Sequence, residues 1–183
     1  PETGEDIVNK RNAIHYENMS VALAESVANQ GQGFINSMAF GNGGTSVDPT
    51  GIITYLTPNS TGTNATLYNQ TYSKIVDDRS VSNLDPQRNK IETRHVNGTN
   101  YTDVLVTCLL DYGEPNGQDA VDAASASNSL YVFDELGLVS YSPSGTGKLL
   151  THVIFHPVQK SLNRLIQIDY TVRVQSLTGF NEG

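Results

Sequence analysis

Hydrophobic and polar positions alternate most cleanly near the end of the chain. Over residues 165 to 174, Ile166, Ile168, Tyr170, Val172 and Val174 alternate with Leu165, Gln167, Asp169, Thr171 and Arg173. That period of two predicts a strand with one apolar and one largely polar face. Residues 101 to 112 repeat it, with Val104, Val106, Cys108, Leu110 and Tyr112 on one side and Asp103, Thr107 and Asp111 on the other. Less regular versions predict strands at 34 to 40, 51 to 56, 66 to 76, 89 to 96, 130 to 140 and 149 to 156. Turn-forming runs such as Gly41-Asn42-Gly43-Gly44, Asn97-Gly98 and Ser144-Gly145-Thr146-Gly147 separate them. About eight short strands at this spacing predict a mainly β fold, an antiparallel β-sandwich or a flattened barrel. The stretch 113 to 129, rich in Gly, Ala, Ser and Asp, reads as a long surface loop.

One segment follows a helical pattern. Residues 6 to 29 contain no Pro or Gly and carry Ala22, Ala24 and Ala28, with Gly31 and Gly33 placed to end the helix. On a helical wheel Met19, Leu23 and Val27 fall together, and Ile7, Ile14 and Val21 fall roughly opposite. The expected organisation is an N-terminal helical arm over 1–33 followed by a β-domain over 34–183. Two apolar faces leave two readings: a helix wedged on its own sheet with one face exposed, or an arm clamped between its own domain and a neighbouring subunit. Those six side chains are the candidate subunit-interface residues, and the 113–129 loop is a weaker one. On the arm reading, deleting residues 1 to 30 leaves a folded but assembly-defective domain.

Composition acts mainly by exclusion. A chain of 183 residues predicts one domain, or one domain plus an arm. With 11 basic against 19 acidic residues its net charge is -8, which disfavours nucleic acid and anionic membranes as partners. No apolar run approaches the roughly 18 residues of a membrane helix. The one cysteine, Cys108, has no partner for an internal disulfide and reads as a small core residue. That lone cysteine fits folding in a reducing compartment, and the opening Pro-Glu-Thr-Gly-Glu-Asp has neither the basic nor the apolar region of a secretory signal.

Candidate chemistry is searched for with little return. Gly147-Lys148 resembles the end of a phosphate-binding loop, but that loop requires Gly where Ser142 stands and Ser or Thr where Leu149 stands. His152 and His156 have the spacing of a helical metal pair, yet their surroundings read as a strand, where four residues span about 13 Å and one zinc cannot reach both. His15 and His95 are expected in structural or surface roles. Asp77-Asp78, Asp134-Glu135 and the acids of the loop do not fall into calcium-loop spacing. Glu135 lies inside an apolar strand, so its carboxylate is expected to be paired with an Arg or capped by backbone N–H groups. No catalytic residue, metal ligand or cofactor site is assigned. Asn-x-Ser/Thr occurs at Asn18, Asn59, Asn64, Asn69, Asn97 and Asn100, against roughly three occurrences expected from composition. Those sites support an alternative function, a secreted or surface glycan-binding β-sandwich module with a tyrosine-lined groove.

Three segments in order carry a resemblance: Phe34-Ile-Asn-Ser-Met-Ala-Phe-Gly-Asn-Gly-Gly-Thr-Ser-Val-Asp-Pro-Thr50, then Phe133-Asp-Glu-Leu-Gly-Leu138, then Leu149-Leu-Thr-His-Val-Ile-Phe-His-Pro-Val-Gln-Lys160 with the alternating strand after it. Together they resemble the attachment domains of bacteriophage tail-fibre and baseplate-associated proteins, and more broadly the small virion structural proteins of tailed phages. The resemblance covers roughly 34 to 175, and residues 1 to 33 lie outside it. It implies a non-enzymatic virion component in the tail fibre, baseplate or neck, or associated with the capsid. Such a component is assembled as a homo-oligomer with other virion proteins, in the host cytoplasm and then in the particle, with no catalytic residues to carry over.

Overall fold

The computed structural model describes residues 13–117 and 131–176. Ten strands and one helix follow in the order β1 (Ala13–Ile14), α1 (Tyr16–Val27), β2 (Ile35–Gly41), β3 (Thr45–Val47), β4 (Ile53–Tyr55), β5 (Gln70–Ile75), β6 (Lys90–His95), β7 (Tyr101–Leu110), β8 (Val132–Ser140), β9 (Thr151–Gln159) and β10 (Ile166–Gln175). They form a five-stranded sheet ordered β1-β9-β8-β2-β5, a three-stranded sheet ordered β10-β7-β6, and a β3-β4 ribbon. Every pairing is antiparallel. All eight expected strands are present. The sheets do not close on one another, which decides for a sandwich-like arrangement over the barrel.

The core lies between the two sheets. Met38, Phe40, Leu136, Leu138, Val153 and Phe155 of the larger sheet pack into one cluster with Val106, Cys108 and Leu110 of β7 and Tyr170 and Val172 of β10. The period-two pattern thus named the inward faces of β7 and β10 correctly, Cys108 included. Its ends fray: Tyr112 lies beyond β7 and Val174 at the end of β10, and both are exposed. The other face of the larger sheet is also covered. Ala39 and Leu149 form a second small cluster there with Leu67, from the segment 57–69 that crosses it.

The N-terminal region departs from expectation. Helix α1 begins only at Tyr16. Ala13 and Ile14 are extended and pair with His152 and Thr151 of β9, so Ile14 belongs to a strand. The cause is His15, which holds an extended backbone, donates its N–H to the Leu150 carbonyl and caps the helix with its ring. Ile7 and the expected turns of helix before Ala13 lie outside the described residues. What α1 buries is Asn18 and Ala22, with Met19 partly packed on the core. The expected grouping of Met19, Leu23 and Val27 is therefore split: Met19 packs inward, Leu23 and Val27 face solvent, and Val21 is half-buried at the margin. Because His15, Asn18 and Ala22 are buried against the sheet, removing residues 1 to 30 strips interior groups. Its expected result is loss of fold stability, measurable by urea unfolding, in place of the intact domain that an arm would leave behind.

Candidate functional site

Two adjacent acids on β8 organise the covered face of the larger sheet. Glu135 is fully buried and accepts four hydrogen bonds: from the backbone N–H of Gly43 at 3.1 Å and Asn69 at 2.8 Å on Oε1, and from the N–H of Tyr68 at 3.0 Å and Nε2 of His152 at 2.8 Å on Oε2. Capping by backbone N–H groups is thus the correct one of the two expected solutions, and the side-chain partner is a histidine. Asp134 accepts from the N–H of Gly44 at 2.8 Å and Thr45 at 3.0 Å, and from the Thr45 hydroxyl at 2.6 Å. A register shift between Phe133 and Glu135 marks a bulge on this strand, which lets neighbouring acids serve one loop.

His152 is fixed at both ring nitrogens. Its Nδ1 accepts the Asn59 N–H at 2.8 Å, so Nε2 carries the proton that it donates to Glu135. His15 repeats the device: its Nδ1 accepts the Asn18 N–H at 3.1 Å, and its Nε2–H donates to the Gly62 carbonyl at 2.7 Å. Asn18 Nδ2 donates to the Leu149 carbonyl at 2.9 Å. Both histidines and Asn18 are fully buried. The segment 57–69 is therefore pinned at Asn59, Gly62, Tyr68 and Asn69, and its middle is tied to the start of α1. With both ring nitrogens engaged and no solvent access, the Glu135–His152 pair has no lone pair to offer a substrate, so it anchors loops.

Burial by itself would raise the Glu135 carboxyl, but the His152 hydrogen bond and the three backbone N–H groups outweigh it and hold it below its ordinary value. His152 and His156 both lie on β9, as expected, with His152 buried and His156 exposed. No group of three or more metal-binding side chains occurs among the described residues.

A second polar cluster sits where β5 and β7 meet the chain after β9. Lys74 Nζ is 2.6 Å from Glu114 Oε1, and the Tyr72 hydroxyl donates to Glu114 Oε2 at 2.8 Å. Buried Lys160 donates to the carbonyls of Ser161 at 3.0 Å and Tyr112 at 3.3 Å. Burial pushes its ammonium down to about 8, against the pull of the Glu114 and Asp111 carboxylates. The unfolded chain keeps that proton to higher pH, so this group depresses stability below pH 8, and the penalty fades as pH rises toward 10.5. Relative to Lys160→Met, the wild type is expected to gain about 1.4 kcal/mol per pH unit through that window in urea unfolding; a difference independent of pH contradicts it.

Outward, α1 presents a stripe at helical spacing, Tyr16, Leu23 and Val27, of which Tyr16 is 78% and Val27 is 87% exposed. Val81 and Leu84, in the chain before β6, are 99% and 97% exposed. Of the six candidate interface residues, Leu23 and Val27 are available to a partner, Met19 and Val21 are partly so, Ile14 is in β1, and Ile7 is not described. Val81 and Leu84 escaped the sequence reading because isolated apolar residues in polar context give no periodic signal, whereas Tyr16 stands at helical spacing from Leu23 and Val27, a signal that was there to be read. Of the loop 113–129, residues 118–129 lie outside the described residues. No family model, curated protein or solved structure matches the chain.

Proposed function

We propose that the protein is a non-enzymatic structural component of a tailed-phage particle that works through multivalent contacts with copies of itself and with other virion proteins. The observation that supports this most directly is the solvent-facing apolar stripe of α1, anchored at its start by buried His15 and Asn18. An apolar stripe on a rigidly held helix is costly to leave wet and is the usual mark of a protein contact. Leu23→Glu with Val27→Glu is expected to change monomer stability by less than about 0.5 kcal/mol, since both side chains are exposed, while abolishing assembly into particles.

Native mass spectrometry of protein from its natural source tests the reading. An unmodified subunit in a symmetric oligomer, or one released only when a large particle is broken, supports it. A heterogeneous monomer heavier than the 19.8 kDa chain overturns it in favour of a glycan-modified binding module. One geometric fact weighs against that alternative. Asn18 is fully buried with its amide donated to the Leu149 carbonyl, so the folded chain cannot carry a sugar there.

A further inference from the structure

We infer that strand β6 is a self-complementary edge through which two copies of this chain join their three-stranded sheets into one continuous sheet across a two-fold axis at Thr93. This inference is separate from the α1 reading and survives or fails without it.

β6 is the outer strand of the β10-β7-β6 sheet. Ile91 N–H points away from β7, toward Asp78 Oδ1 at 3.4 Å. Backbone direction alternates along an antiparallel strand, so Thr93 and His95 also turn their N–H and C=O groups outward. Glu92, Thr93, Arg94, His95 and Val96 are all exposed, and among the described residues no backbone group outside β7 bonds to Thr93 or His95. An edge of this kind is a template for another strand unless something blocks it. Here the charges do not block it. Side chains of Glu92 and Arg94 stand on the outer face of the sheet, since Ile91 packs toward the core and residues alternate.

Charge selects one register. Centring the axis on Thr93 places Glu92 of each copy opposite Arg94 of the other, giving two cross-strand ion pairs, and sets Thr93 beside Thr93 in a hydrogen-bonded pair. Shifting the axis to Glu92 opposes Glu92 to itself and Lys90 to Arg94. Shifting it to Arg94 opposes Arg94 to itself. An axis on Ile91 would pair Lys90 with Glu92, but it brings the Asp78 side chains of both copies together at the centre of the junction. In the Thr93 register each copy's His95 lies opposite the other's Ile91 at the ends of the new ladder, where the long Asp78 contact gives way to the His95 carbonyl. Arg94 would then lie between Asp103, its cross-strand neighbour on β7, and the second copy's Glu92.

A strand edge of this length buries less than the roughly 1,000 Å² of a permanent interface. Association is therefore expected to be reversible, with Kd in about the micromolar to sub-millimolar range. Sedimentation velocity of the full chain at low salt, over about 5 to 500 µM, tests it. The wild type is expected to move from monomer toward dimer. Glu92→Arg alone, and Arg94→Glu alone, are each expected to weaken self-association at least tenfold, whereas a mixture of the two variants associates at least as tightly as the wild type. Hydrogen exchange is expected to show the Thr93 and His95 amides gaining protection as concentration rises. A wild type that stays monomeric throughout overturns the inference. So does a mixture no tighter than its components, or self-association that Val27→Glu abolishes and Glu92→Arg leaves intact.

Discussion

Glu135→Gln is expected to lower the free energy of unfolding by about 4 kcal/mol, the larger of two effects tied to single atoms of β8. Each carboxylate oxygen of Glu135 accepts from two donors, Gly43 and Asn69 on one side and Tyr68 and His152 on the other. A glutamine of the same shape must turn its NH₂ group toward one of those pairs. Two buried N–H donors then face a donor and are left unsatisfied, at about 1–3 kcal/mol each. Urea unfolding at pH 7 measures the loss, and a change below about 1 kcal/mol would show that the loop reorganises at little cost. The pH dependence supplies a second check. Because the folded state holds the carboxyl below its ordinary 4.5, its contribution is complete above that pH and is lost as pH falls below it. The wild type is therefore expected to converge on Glu135→Gln in acid.

Gly137→Ala is expected to cost about 3 kcal/mol, with the damage felt along the β8–β9 ladder. A methyl group built on Gly137 runs into the backbone carbonyl of Thr151 and meets Leu149 Cδ1 at 2.7 Å. The carbonyl belongs to a strand held on both sides, so it cannot swing aside as a flexible side chain would. Such a glycine within a strand marks close approach of another backbone. Thermal unfolding is expected to show a fall in Tm of several degrees; an unchanged Tm would mean that β9 shifts freely.

Alternation along β7 and β10 was legible because each buries one face of a two-layer packing, which is the condition that imposes a period of two. The covered outer face of the larger sheet was not legible. Buried His152 and exposed His156 read alike in sequence, and what separates them is the segment 57–69, a polar run with no periodicity that settles over one end of the sheet. Glu135 was singled out by the cost of burying it, yet its three backbone donors sit 66 to 92 residues away in the chain. Sequence offers no route to such partners, since backbone N–H groups belong to every residue but proline. The helix boundary failed for a related reason. His15 prefers its ring on the Asn18 N–H and its own N–H on the Leu150 carbonyl just before β9, a tertiary contact that overrides the helical pattern before it.

Cys108 carries a consequence of its own. Its thiol is fully buried between the sheets, and burial pushes it up to about 12. A thiolate reagent at neutral pH therefore meets almost none of the reactive form until the two sheets part. As the chain has this single cysteine, the rate of its alkylation is a native clock for opening of the sandwich, readable without denaturant or added label. Slowing of that clock on assembly would report how far packing neighbours tighten the interior of each copy.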